Sequence, residues 1–155
     1  MMSKIVRTQA NFLYVFIMIF GFYIVAHGHL TPGGGFQGGA VIATGIALIV
    51  VSYNYNQIKK WIKKTHLTAA EAIGLLAFII TAFMGIGTSF FYNWLANTGF
   101  LFGDRVSYGP NPGYLNTAGT LPIMNLAVGI EVLGGLSVIV IYYLHYLKEV
   151  DKNAV

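Results

Sequence analysis

Four apolar runs dominate this chain: Gln9 to His27, Phe36 to Tyr55, Ala70 to Tyr92 and Pro122 to Leu147. Each is close to or above the roughly 20 residues that a helix needs to cross a hydrocarbon core about 30 Å thick. Over the whole chain only 9% of residues are charged, against about 25% in soluble domains. Too little polar surface remains to coat a water-soluble globule. Inside a bilayer a helix satisfies its own backbone hydrogen bonds. The expectation is an all-α polytopic protein with four transmembrane helices, forming one domain over residues 1–155 in the cell membrane.

The basic residues are unevenly placed. Lys4 and Arg7 precede the first run, Lys59, Lys60, Lys63 and Lys64 follow the second, and Lys148 and Lys152 follow the fourth. Arg105 alone falls in the other connections, so eight of nine basic residues share one side of a four-helix topology. The positive-inside rule makes that side cytoplasmic, with both termini in. A cleaved signal peptide ending near Ala26 and Gly28 is the rival reading of the first run, but it would spoil this asymmetry. The net charge of +4 thus belongs to membrane topology, and no nucleic-acid partner is expected. Cysteine is absent, which excludes disulfides and thiolate metal or iron–sulfur ligation.

Between the first two runs stands Gly28-His29-Leu30-Thr31-Pro32-Gly33-Gly34-Gly35-Phe36-Gln37-Gly38-Gly39. So many glycines at the mouth of a membrane helix imply close approach of another backbone, or a turn that side chains would block. Gly35, Gly39, Ala43 and Ala47 then recur at intervals of four and share one helix face. Ala77, Thr81, Gly85 and Ser89 repeat the pattern in the third run, and Gly134 and Gly135 supply small residues in the fourth. Such stripes let helices associate in lipid by close van der Waals contact. Gly33, Gly34, Gly35, Gly38, Gly39, Ala43, Ala47, Gly85, Gly134 and Gly135 are therefore the expected packing positions.

Gln57 to Lys64 reads as a short interfacial helix, with Ile58, Trp61 and Ile62 on one face and paired lysines on anionic lipid. A docking site for an acidic partner is the alternative. Thr68-Ala69-Ala70-Glu71 matches a capping box, which makes Glu71 a cap before an ion ligand. His66 is expected to be an exposed interfacial residue. The third connection, Asn93 to Leu121, is long enough to suggest a functional or packed loop. Trp94, Phe100, Phe102, Tyr108 and Tyr114 would lay it across the outer surface.

Glu131 is the acidic residue set well inside a run, roughly 13 Å along the fourth helix. A charge at that depth costs a few kcal/mol or more, and such residues mark ion pathways. Ala127, Val128, Gly134 and Gly135 surround it, so it lies where another helix approaches. Two roles stand open: a proton or cation relay, or a hydrogen bond fixing helix register. His27 and His29 lack the carboxylate or thiolate support of a metal site, and capping or loop packing is the expectation for both. His145, among Tyr142, Tyr143 and Tyr146, reads as part of an aromatic belt. Gly33 to Gly38 formally satisfies G-x-G-x-x-G, but no strand precedes it and no acid lies about 20 residues on. No catalytic triad, metal site or cofactor site is expected, and the chain reads as non-catalytic by itself.

The glycine segment from Gly28 to Gly39 resembles the signature of the B-type (MrpB/MnhB) subunit of Mrp multisubunit cation/proton antiporters. Leu121-Pro122-Ile123-Met124-Asn125-Leu126-Ala127-Val128-Gly129 is similar to that family's last helix. The resemblance implies a small membrane subunit among other Mrp-type subunits in a large hetero-oligomer that moves Na+ and H+. It also implies an acid near Asn125 and an apolar residue near Glu131, so in this chain the acid is displaced by about two turns. Glu131 is the leading ion-path candidate; Glu71, Asn125 and His29 are weaker ones. The Leu30-Thr31-Pro32 form of the glycine motif and the Tyr114 to Thr117 loop look closer to the Mrp-type module of archaeal membrane-bound hydrogenase or sulfane reductase complexes. The alternatives are the B-type component of a stand-alone Mrp antiporter, a purely structural scaffold, or an independent small transporter.

Overall fold

In the computed structural model, described over residues 2–53, 55–106 and 114–153, the regular elements are all helical. They are α1 (Lys4–Ala26), α2 (Gly35–Ser52), α3 (Tyr55–Trp61), α4 (Lys64–Phe83) and α5 (Leu121–Asn153), with a single 3-10 turn at Leu115–Thr117. All but α3 are long and apolar enough to cross a membrane. The helices pack as a row: α1 on α2, α2 on α5, and α5 on α4. Glycine decides this order. A β-carbon on Gly38 would stand 2.8 Å from the Gly21 carbonyl of α1, and one on Gly39 would stand 2.7 Å from the Gly129 carbonyl of α5. Successive glycines of α2 thus admit two different neighbours. Accordingly 44% of the α2 span is buried, against 17% of α1.

A row buries less surface than a closed bundle. On α1, Phe12, Phe16, Ile19, Phe20 and Phe22 are all more than half exposed within the chain. Large apolar side chains turned outward suit lipid or neighbouring membrane helices.

The helix limits differ from the apolar runs: α1 begins earlier, at Lys4, α5 runs on to Asn153, and the ends of α4 and the interfacial helix differ as well. The third run does not continue as helix to Tyr92: α4 stops at Phe83 and the chain doubles back. The Phe91 amide donates to the Ala82 carbonyl at 3.1 Å, and the Phe83 and Phe90 rings meet edge-on with centroids 5.1 Å apart. Gly85 is consequently not a helix-packing position. A β-carbon there would meet Tyr92 of the same loop, 2.8 Å from its Cβ.

At its other end α4 begins at Lys64, with Lys63 as N-cap. Thr68 therefore lies inside the helix, the capping box does not form, and Glu71 is released from that role. The interfacial helix is also shorter than expected, ending at Trp61 so that Lys64 opens α4. Ile58 is its buried anchor, whereas Trp61 is largely exposed.

Candidate functional site

Antiparallel crossing of α4 and α5 brings the acids of the two apolar helices, Glu71 and Glu131, to one seam. Gly74 has no room for a side chain: a β-carbon would lie 2.6 Å from both the Ala127 carbonyl and the Glu131 amide nitrogen. Gly134 answers from the other helix, its β-carbon position being 2.7 Å from the Glu71 nitrogen and the Leu67 carbonyl. Each helix carries Glu-x-x-Gly, as Glu71-Ala72-Ile73-Gly74 and Glu131-Val132-Leu133-Gly134. The glycine of each rests on the glutamate backbone of the other.

The carboxyl of Glu71 then reaches across the seam. Its Oε1 is 3.3 Å from where a β-carbon on Gly135 would stand. Gly135 is one turn beyond Glu131, and β-carbons at that spacing lie about 5–6 Å apart on the same face. Glu71 and Glu131 therefore share one side of the α4–α5 contact, both half-buried within the chain. The repeated Glu-x-x-Gly spacing is the sequence signal that would have paired them.

Asn125 belongs to a different contact. A β-carbon on Gly28 would stand 2.8 Å from Asn125 Nδ2 and 2.6 Å from Gly34 Cα, and one on Gly34 would stand 3.2 Å from Asn125 Oδ1. One on Gly35 would strike the Asn125 carbonyl. The glycine turn thus closes around Asn125. Gly33 takes no part in this packing; its φ of 110° makes it the left-handed turn residue before α2. At the helix start, the Gly34 amide donates to Gln37 Oε1 at 2.8 Å. Six residues separate Asn125 from Glu131, which turns the helix by about 600° and leaves the two about 120° apart around its axis. Asn125 therefore lies on the α2 seam and Glu131 on the α4 seam.

His29 lies at the same end of the molecule as the glycine turn. Its Nε2–H donates to the Leu115 carbonyl at 3.1 Å, tying the turn to the long loop. His27 instead closes α1: its ring stacks on Tyr23 at 4.1 Å and Nδ1–H donates to the Tyr23 carbonyl. Ala43 is buried and Ala47 half-buried along α2.

Three supporting positions carry no signal in the sequence. Gly21 and Gly129 are single glycines outside any repeated stripe. Asn93 staples the long loop to the start of α5. Its Oδ1 accepts from the Thr120 amide at 2.8 Å and hydroxyl at 3.1 Å, while Nδ2 donates to the Ala118 carbonyl at 3.0 Å. Of the aromatic residues expected to cover the outer surface, Phe100 and Tyr114 are exposed, Trp94 and Phe102 are half-buried, and Tyr108 lies outside the described residues.

Four apolar helices in a glycine-spaced row, with two acids on the α4–α5 seam, define a multi-pass membrane protein. Residues 5–138 match the family described as "Domain related to MnhB subunit of Na+/H+ antiporter". The chain belongs to that family. It is 36% identical over 137 residues to an uncharacterized protein of Methanocaldococcus jannaschii, covering 87% of this chain and 50% of that one. It is 31% identical over 87 residues to the B-type component of the Na(+)/H(+) antiporter of Bacillus subtilis, covering 56% of this chain and 58% of that one. Among solved structures it is similar to a chain of the membrane-bound sulfane sulfur reductase, an archaeal respiratory membrane complex. That likeness has a TM-score of 0.71 at 33% identity over 92% of this chain and 58% of that one. The chain thus spans half to three-fifths of the length of these relatives.

Proposed function

We propose that this chain is the B-type component of an Mrp-type sodium/proton-translocating module, housed in an energy-converting membrane complex of the archaeal hydrogenase or sulfane-reductase type. The observation that carries this reading is the 33% identity, over 92% of the chain, to a chain of the archaeal sulfane sulfur reductase complex. In this reading the lysine-bearing end and both termini face the cytoplasm, which the basic-residue asymmetry supports. The exposed aromatic face of α1 receives neighbouring membrane subunits. Glu131, with Glu71 beside it, takes part in the ion path, because acids kept inside a membrane are costly and belong to such paths. Redox chemistry or a counter-ion enters through other subunits, and this chain catalyses no reaction by itself.

Affinity purification of the tagged chain from its native membrane tests the proposal. The expected result is co-purification with several other membrane subunits and loss of sodium-dependent proton movement in vesicles when the chain is deleted. A stable homo-oligomer that conducts ions without partners would overturn it. A redox subunit in the purified assembly separates the hydrogenase or reductase setting from a stand-alone antiporter.

The backbone-level fit of each glutamate against a glycine favours one other reading, a scaffold in which the acids fix helix register. Unchanged transport by Glu131→Gln in an intact complex would select it.

A further inference from the structure

We propose that the basic end of the molecule holds a binding site for one anionic lipid, between α3, the start of α4 and the second half of α5. A cavity of about 390 Å³ opens there. Its floor is aliphatic, made by Ile58 and Ile62 from one side and Ile141 and Leu144 from the other. Its rim is cationic, carrying Lys59, Lys63 and Lys64. Among the described residues no carboxylate lines it. An apolar trough beside three lysines fits the first carbons of a lipid chain with a net-negative phosphate headgroup, whereas a zwitterionic headgroup would bring its own cation against the lysines.

Depth agrees with this occupant. Ile141 is twenty residues from Leu121, about 30 Å along α5 and thus one hydrocarbon thickness from the helix start. The cavity therefore sits at headgroup level, where a lysine is worth most to an anionic lipid. The rim is also partly fixed in place: Lys64 Nζ stands 4.1 Å over the Tyr142 ring, on the cavity wall. At the start of α4, Lys63 as N-cap supplies no side-chain acceptor for the first-turn amides. Thr65, in that turn, lines the cavity. The His66 amide already donates to the Lys63 carbonyl at 3.0 Å, which leaves the Lys64 and Thr65 amides for a phosphate oxygen beside the lysines.

The test uses the full chain in phosphatidylcholine nanodiscs doped with phosphatidylglycerol, with retained lipid read by native mass spectrometry. Phosphatidylglycerol should be retained over phosphatidylcholine, and rising salt should erode the preference. Replacing Lys59, Lys63 and Lys64 by Gln should weaken retention by about fivefold per lysine. Ile141→Trp, which fills the trough without changing charge, should weaken it too, whereas Arg105→Gln at the far end should not. Inorganic phosphate and glycerol phosphate should fail to displace the lipid; full displacement by either would reduce the site to a headgroup reader and overturn the assignment to lipid. Equal retention of both lipids by the wild type, or no response to the lysine and Ile141 changes, would also overturn it. In the native assembly, loss of a partner subunit from the lysine variant with lipid retention unchanged would overturn it in favour of an acidic protein segment.

Discussion

Gly74 rests against the amide nitrogen of Glu131 so closely that a β-carbon on it would stand 2.6 Å from that atom. The reciprocal contact of Gly134 with Glu71 makes the crossing of α4 and α5 a two-sided device. Close backbone approach and the placement of two acids are here one feature. Helices that had separated to admit side chains would no longer hold Glu71 across the path of Glu131.

Gly74→Ala is therefore expected to destabilise the protein by about 1–3 kcal/mol, the usual penalty for an overpacked contact. The clash is with backbone, which cannot swing aside. Gly87→Ala should be silent in folded-state packing, since nothing lies within 4 Å of its β-carbon position. Thermal unfolding of the detergent-purified variants checks both. A stable Gly74→Ala would mean that the helices cross elsewhere.

If Glu71 and Glu131 act together on one ion, their substitutions will not add. Glu131→Gln and Glu71→Gln should each slow sodium-dependent proton movement, and the double variant should be little slower than the worse single one. Residues sharing one network typically show coupling of about 0.5–3 kcal/mol. Additive losses in vesicle transport, at equal assembly, would separate the two acids.

Much of the architecture is legible in the residues alone. Runs of apolar residues locate the membrane helices, and the glycine turn signals intimate backbone contact, which it makes around Asn125. The end of α4 is hidden because Met84, Ile86, Phe90 and Phe91 continue the apolar run past the last helical residue. Hydropathy does not distinguish a lipid-facing helix from an apolar chain reversal. The role of Glu71 is masked because its local pattern matches a cap, while its true setting depends on the register of a helix about sixty residues away. Gly21 and Asn93 carry no local pattern; only the fold gives them partners.

Asn93 offers a direct check on the long loop. Its side chain makes three hydrogen bonds that tie the chain to Ala118 and Thr120 at the start of α5. Thr120 is 1% exposed, so its donors cannot turn to solvent. Asn93→Ala should cost about 1–3 kcal/mol by leaving buried partners unsatisfied. Limited proteolysis should then cut the 93–120 loop faster than in the wild type, with the helices intact. An unchanged digestion rate would assign the holding of this loop to the His29–Leu115 contact instead.

Asn125 and Glu131 allow face to be separated from depth. The two lie about 9 Å apart along α5 and about 120° apart around it. An acid at position 125 therefore enters the glycine hub of Gly28 and Gly34, whereas one at 131 enters the α4 seam. Asn125→Asp in a Glu131→Gln background restores a membrane acid but directs it to α2 and the glycine turn. Transport should stay as low as in Glu131→Gln alone, because Glu71 lies against a different face of the helix. Assembly should weaken as well, since a carboxylate would replace an amide whose Nδ2 stands against Gly28. Sodium uptake and subunit recovery, measured on the same membranes, read the two effects separately. Recovery of transport would mean that the ion path needs an acid at this level of the membrane whichever helix it faces, and the α4–α5 seam would lose its special claim.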